Sequence, residues 1–221
     1  MGATIELVRR GQDATDPLIV LVDGDGHPED LSACVTSCAL VRLSLDDWGR
    51  NITPWEAESL YRGQPPYGGS AHATLELLEK DLLPALCERE GIEPLSFGIC
   101  GYSLAGLFSL WATLSSPTFS ATGALSASVW YEGWFDYLEG LDVDGAGRTV
   151  FLSLGSKEKR GPRPRLKTVE DAMVRTRDIL AAKGFAATLE ITPGGHLDHV
   201  GERVLRGIGV VDAALFATMD D

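Results

Sequence analysis

Short apolar runs alternate with stretches of helical periodicity along most of the chain, and that alternation predicts its elements. "TIELVRR" (4–10) switches between apolar and polar at successive positions, which predicts an edge strand with one covered face. "PLIVLVDG" (17–24) is apolar almost without interruption, as a strand covered on both faces must be. "PEDLSACVTS" (28–37), with Pro28 and acidic residues in its first turn, predicts a helix, and "ALVRLSL" (39–45) the next strand. A polar loop rich in Pro and Gly is expected over 46–69. In "SAHATLELLEKDLLPALCERE" (70–90), Leu75, Leu78, Leu82 and Leu86 form one helical stripe, which Pro84 is expected to bend.

The second half repeats the alternation. "LSFGIC" (95–100) predicts a strand and Ser103 to about Leu114 a helix; "ATGALSA" (121–127) and "TVFLSLG" (149–155) predict further buried strands. "TVEDAMVRTRDILAAKG" (168–184) is an amphipathic helix closed by Gly184, "ATLEIT" (187–192) the last strand, and the segment after Gly201 a final helix. The expected fold class is α/β: a mostly parallel, doubly wound sheet with helices on both faces, in one domain over 1–221 without a separate lid. In such sheets functional loops lie at the carboxyl ends of the strands, which here carry "DGDG", "GYSLAG", "SASVW", "GSKE" and "GGHLDH".

Composition narrows the classes of partner. Of 221 residues, 44% are hydrophobic and 23% charged, which suits a globular chain with a sizeable core. The net charge of −13 repels phosphate backbones and anionic lipid, so neither nucleic acid nor membrane is an expected partner. No apolar stretch is long enough to span a bilayer. "MGATIELVRR" lacks the layout of a secretory signal, and Glu6 stands where a myristoylation pattern needs Ser or Thr, so a cytoplasmic chain is expected. Cys34 and Cys38 would share a helical face, but with no paired CxxC set and no His cluster nearby no metal site is expected. Cys100 reads as a small buried hydrophobe.

Candidate chemistry centres on "FGICGYSLAGLFSLWA" (97–112). Gly101-Tyr102-Ser103-Leu104-Ala105 fits G-x-S-x-G with Ala in the last place, followed at once by Gly106. Small neighbours are what a sharp strand-to-helix turn requires, and such a turn presents its serine at a helix N-terminus, where backbone N–H groups can hold a developing oxyanion. A serine serving only as helix cap would not require them. The hydroxyl needs a base. Chain order on this kind of sheet leaves His196 and His199, and His196, placed by Gly194 and Gly195 directly after the last strand, is the stronger candidate. The acid that holds the imidazole is expected at Glu158, on the loop after strand 149–155, with Glu132 as the alternative. The backbone N–H of Leu104 and one from Gly24 or Asp25 are the expected oxyanion donors.

"DGDG" supports a rival. A strand ending in Asp23 and Asp25 resembles the haloacid-dehalogenase phosphatase motif, which implies Mg²⁺, but no later strand end carries the acidic pair which that chemistry needs. A non-catalytic binding module on the same fold is the other alternative. Among the aromatic residues crowded into 130–137, Trp130 is the candidate to face a substrate, with Tyr102 beside the serine. "KEKRGPRPRLK" (157–167) is basic in an acidic chain and reads either as a solvated loop or as a lure, through Arg160, Arg163 and Arg165, for an anionic group.

Taken in order, "LVDGDG", "ITPW", "YGGSAHATLELLEKDLLPAL", "GYSLAGLFSLWA", "SASVWYEG", "LGSKE" and "GGH" resemble the Putative esterase (esterase D) branch of the α/β-hydrolases, near the siderophore-esterase type. The resemblance covers nearly the whole chain. It implies a serine esterase that cleaves a small-molecule carboxylic ester through an acyl-enzyme, with Ser103 as nucleophile, His196 as base and no cofactor. Ala105 replaces a commoner glycine, and the chain is shorter than most members.

Overall fold

The structure, a computed structural model, describes residues 2–23, 31, 34, 36–60, 63–160 and 164–218. In chain order it runs β1 (Ala3–Arg9), β2 (Leu18–Asp23), β3 (Ala39–Leu45), α1 (Trp48–Asn51), β4 (Glu56–Ala57), β5 (Tyr67–Gly68), α2 (Ala71–Leu77), a π-helical turn (Leu78–Leu82) and α3 (Leu83–Glu90). It continues with β6 (Phe97–Tyr102), α4 (Leu104–Ser115), β7 (Phe119–Leu125), α5 (Trp134–Gly140), β8 (Thr149–Gly155), a 3₁₀ turn (Glu158–Arg160), α6 (Pro164–Lys167), α7 (Val169–Ala182), β9 (Ala186–Thr192) and α8 (Val200–Ala217).

Seven strands form one sheet in the order β1-β3-β2-β6-β7-β8-β9. Only β1 runs antiparallel, against β3; every other pair is parallel. This is the expected mostly parallel α/β sheet, and its alternating side chains divide two cores. From β2, Leu18, Val20 and Val22 face one core together with Ile99, Leu107 and Met173, while Ile19 and Leu21 face the other with Val204, Ile208, Val211 and Leu215 of α8. Helices therefore cover both faces, which is why β2 reads as an apolar run and why β6, β7 and β8 are buried along nearly their whole length. β1 and β9 are the edges, and both show alternating exposure. Among the described residues no helix is long and apolar enough to cross a membrane.

Two expectations change. The loop at 46–69 contains α1 and a small β4–β5 pairing, held by polar contacts that hydrophobic periodicity does not register: Gly69 N–H donates to Thr53 Oγ1 at 3.0 Å and Thr74 Oγ1 to the Asn51 carbonyl at 2.6 Å. The predicted helix 70–90 is continuous but passes through the π-turn just before Pro84. Proline has no N–H to give and its ring collides with the carbonyl four residues back, so a wider turn at that point relieves the mismatch. The helix expected over 28–37 lies mostly outside the described residues. All four cysteines are free thiols, and Cys100 is wholly buried, as expected of a small hydrophobe.

The sheet switches direction at β2, whose chain neighbour β3 lies on one side and β6 on the other. The crevice at such a switch opens at the carboxyl end of β6. There α4 folds back so closely that a Cβ at Gly101 would lie 2.3 Å from the Ala105 carbonyl oxygen and 2.8 Å from Ala105 Cβ. Both obstacles belong to a helix that is itself locked in the core. Gly101→Ala is therefore expected to lower the unfolding free energy by about 2–3 kcal/mol in a urea melt. An unchanged midpoint would mean that α4 can move away freely.

Candidate active site

β6 ends at Tyr102 and α4 begins at Leu104, which leaves Ser103 alone to reverse the chain. Its φ of 58° and ψ of −117° lie where L-residues are strained. Neighbours hold it there: its N–H donates to the Leu125 carbonyl at 2.9 Å, and its carbonyl accepts the Ser128 N–H at 3.0 Å. Gly106 lets the helix approach the next loop, since a Cβ there would sit 3.0 Å from Ala127 Cβ. The Ser103 hydroxyl makes no capping bond to the helix. It points elsewhere.

That direction is toward His196, whose Nε2 lies 3.0 Å from Ser103 Oγ. The other ring nitrogen, Nδ1, lies 2.8 Å from Glu158 Oε2. Three loops after three different strands thus meet in one hydrogen-bonded line. Backbone bonds carry the sheet register into these loops: Ser126 N–H donates to Ser153 O at 2.7 Å, Ser156 N–H to Thr192 O at 2.8 Å, and Lys157 N–H to Gly194 O at 2.9 Å. Gly194 adopts φ +100°, a conformation that turns the chain off β9 and few residues besides glycine accept.

Environment separates the partners in the line. The His196 side chain is 40% exposed, whereas Glu158 is 4% exposed. Glu158 Oε1 accepts Ser126 Oγ–H at 2.7 Å, Gly155 N–H at 2.7 Å and an Arg203 Nη1–H at 3.2 Å. Burial alone would raise the carboxyl's pKa, but the bond and charge of His196, with the Gly155 and Ser126 bonds, outweigh it and hold it below the usual carboxylate value. A buried, ionised carboxylate fixes the Nδ1–H tautomer and leaves Nε2 free to accept a proton.

Residues 17–197 match the family model described as Putative esterase. The chain belongs to the Putative esterase family. The uncharacterized protein YbbA of Bacillus subtilis (strain 168) is 31% identical over 151 residues, covering 66% of this chain and 60% of that relative. The chain thus spans less than two thirds of that relative's length. Among solved structures, the siderophore hydrolase EstA from Aspergillus nidulans aligns with TM-score 0.69 at 17% identity, over 96% of this chain and 90% of that one. An IroE-like serine hydrolase from Shewanella oneidensis aligns with TM-score 0.67 at 20% identity, over 93% and 73%. At these identities the likeness establishes the shared α/β-hydrolase fold.

Several expected positions in this esterase-family chain move. Tyr102, expected to touch substrate, is buried beneath the site: its hydroxyl donates to the His196 carbonyl at 2.6 Å, and burial pushes its pKa up to about 12. It faces the sheet side opposite α4, because side chains alternate along β6 and the preceding Gly101 is the position that abuts α4. Glu132 is exposed and ion-paired with Arg165 at 2.9 Å, and so does not serve His196. His199 caps α8 and pairs with Glu202 at 3.1 Å. Asp23 is ion-paired with Arg42 at 3.0 Å, and among the described residues no cluster of His, Cys, Asp and Glu could hold a metal ion. Gly24 and Asp25 lie outside the described residues, as does Arg163. Of the basic run, Lys159 pairs with Glu170 and Arg165 with Glu132, so both charges are already met at the surface.

Ser103, Leu104, Trp130 and His196 line a cavity of about 330 Å³, closed mainly by apolar side chains including Leu60, Tyr67, Leu166 and Val169. Of the other aromatic residues in 130–137, Tyr131 and Trp134 are core. Two residues at the centre of the network were not among the expected site residues: Ser126, at φ 44°, and Arg203. The signal for Arg203 was its place in the apolar stripe of α8, with Val204, Gly207, Ile208 and Val211, where a solvated arginine does not belong.

Because the folded-state pKa of Glu158 is depressed, its charge stabilises the fold fully above the ordinary carboxylate pKa. That contribution is lost as pH falls through the lower folded value. Glu158→Gln is expected to lower the unfolding free energy by about 2 kcal/mol at neutral pH. The gap should narrow below about pH 4 in urea melts. A gap that stays constant with pH would assign the effect to shape rather than charge.

Proposed function

We propose that this chain is a serine hydrolase that cleaves small-molecule carboxylic esters through an acyl-enzyme, within one α/β-hydrolase catalytic domain. The reading rests above all on the unbroken line from Ser103 Oγ through His196 to a buried Glu158 carboxylate, at 3.0 and 2.8 Å. Its chemistry follows from the groups in the line. Ser103 Oγ attacks the ester carbonyl carbon while Nε2 of His196 takes the hydroxyl proton. Glu158 Oε2, accepting the Nδ1–H, stabilises the imidazolium that results. The tetrahedral oxyanion forms at the N-terminus of α4, where the Leu104 N–H has no acceptor in its own helix. Gly24 or Asp25 is the proposed source of the second donor.

Collapse of the intermediate breaks the ester C–O bond, and the departing alkoxide takes the proton back from Nε2. Water then enters, gives a proton to Nε2 and attacks the acyl-serine carbonyl. The second collapse frees the carboxylic acid and returns the proton to Ser103. The apolar cavity walls, with Trp130 at the strand end, suit an acyl or alcohol group without charge.

Removing the nucleophile tests this directly. Ser103→Ala is expected to lower kcat on p-nitrophenyl acetate or butyrate at least about 1,000-fold while leaving the melting curve intact. A fluorophosphonate should label the wild type once, at Ser103 in a peptide map, and leave the variant unlabelled. Retained turnover, or labelling at another residue, would defeat the assignment.

A further inference from the structure

We propose that Arg203 is a positioning residue of this site: its guanidinium fixes the Glu158 carboxylate and the His196 loop in one geometry, holding the imidazole in line between Glu158 and Ser103. The inference rests on the hydrolytic reading above and adds a residue to it. Arg203 is 2% exposed and reaches from α8 to the ends of four strands. It donates to the Tyr102 hydroxyl at the end of β6, to Ser126 Oγ after β7 at 2.8 Å and to Glu158 Oε1 after β8 at 3.2 Å. Beyond β9 it donates to the carbonyls of Gly195 at 2.7 Å and Asp198 at 2.6 Å.

Those last two carbonyls flank His196, and Tyr102, which accepts from Arg203, donates to the carbonyl of His196 itself at 2.6 Å. The loop is thus gripped before, at and after the imidazole. It needs that grip, because Gly194 and Gly195 leave its backbone little stiffness of its own. Lysine could not replace the contact set: a guanidinium presents five donors in a fixed fork, an ammonium three on a flexible stem.

Charge gives Arg203 a second effect. The groups facing His196 are Ser103 and Tyr102 from the end of β6, Glu158 from the loop after β8 and Arg203 from α8. On its own loop the Asp198 carboxylate accepts the Gly195 N–H at 2.8 Å, and His199 is paired with Glu202. The guanidinium sets a positive charge against one oxygen of Glu158 while the other oxygen meets Nδ1 of His196.

The test is a kinetic comparison of the full chain with Arg203→Met and Arg203→Lys on a p-nitrophenyl ester, alongside Ser103→Ala. For Arg203→Met, kcat is expected to fall about 10- to 100-fold, as misalignment of a base would cause. KM should stay within about 2-fold. Arg203→Lys should restore part of kcat at unchanged KM. Wild-type kcat in a folded Arg203→Met, or a reduced kcat accompanied by a KM raised well beyond about 2-fold, overturns the proposal. If Arg203→Met does not fold, Arg203→Lys decides: reduced kcat at unchanged KM supports the proposal, and wild-type kcat overturns it. An active Ser103→Ala would remove the hydrolytic reading itself. An inactive Ser103→Ala beside wild-type-like Arg203 variants would remove only this inference.

Discussion

The carboxylate of Glu158 is the point on which the other parts of the site depend. A carboxylate at 4% exposure can stay ionised only if donors replace the water it has lost, and here they do: Ser126, Gly155 and Arg203 on one oxygen and His196 on the other. Each donor comes from a different part of the chain. The bonds that keep the charge solvated therefore also fix the loops after β7, β8 and β9 and the start of α8 relative to one another. One electrostatic requirement and one mechanical requirement are met by the same atoms.

Strain at Ser103 complements that arrangement. Its backbone sits at φ 58°, and Ser126, one strand over, at φ 44°. Such conformations cost on the order of 1–3 kcal/mol each and persist only where surrounding contacts over-determine them. Ser103 is held by Leu125 and Ser128, and Ser126 by Ser153 through its backbone and by Glu158 and Arg203 through its hydroxyl. The cost falls where the hydroxyl must leave the helix and face the imidazole. Gly101 and Gly106 matter because they let α4 approach the sheet closely enough to make the turn, on two sides at once.

Most of the fold was legible because it depends on periodicity, which is local. The predominantly apolar runs at 17–24 and 149–155 reported burial, and the alternation at 4–10 reported an edge; each became the strand expected within a residue or two. The small elements within 46–69 were not legible, since polar bonds such as Thr53 to Gly69 define them and leave no hydrophobic period. Ser103, His196 and Glu158 could be picked out because spacing relative to strand ends is also readable in one dimension. Tyr102 misled for the same reason: adjacency to Ser103 in sequence says nothing of direction when Tyr102 still alternates with the strand and Ser103 leaves it.

The sequence by itself determined the α/β alternation, the strand ends that face the crevice and the residue types able to act there. It determined these because side-chain period, turn chemistry and chain order are properties of neighbours along the chain. Only the tertiary structure decided that Glu158 rather than Glu132 meets the imidazole, that Tyr102 lies beneath the site, and that Arg203 joins the loops. Those outcomes depend on register between strands and on which buried polar atom reaches which partner. Residues some 45 to 100 positions apart are brought within hydrogen-bond distance of Arg203 only when the sheet has closed.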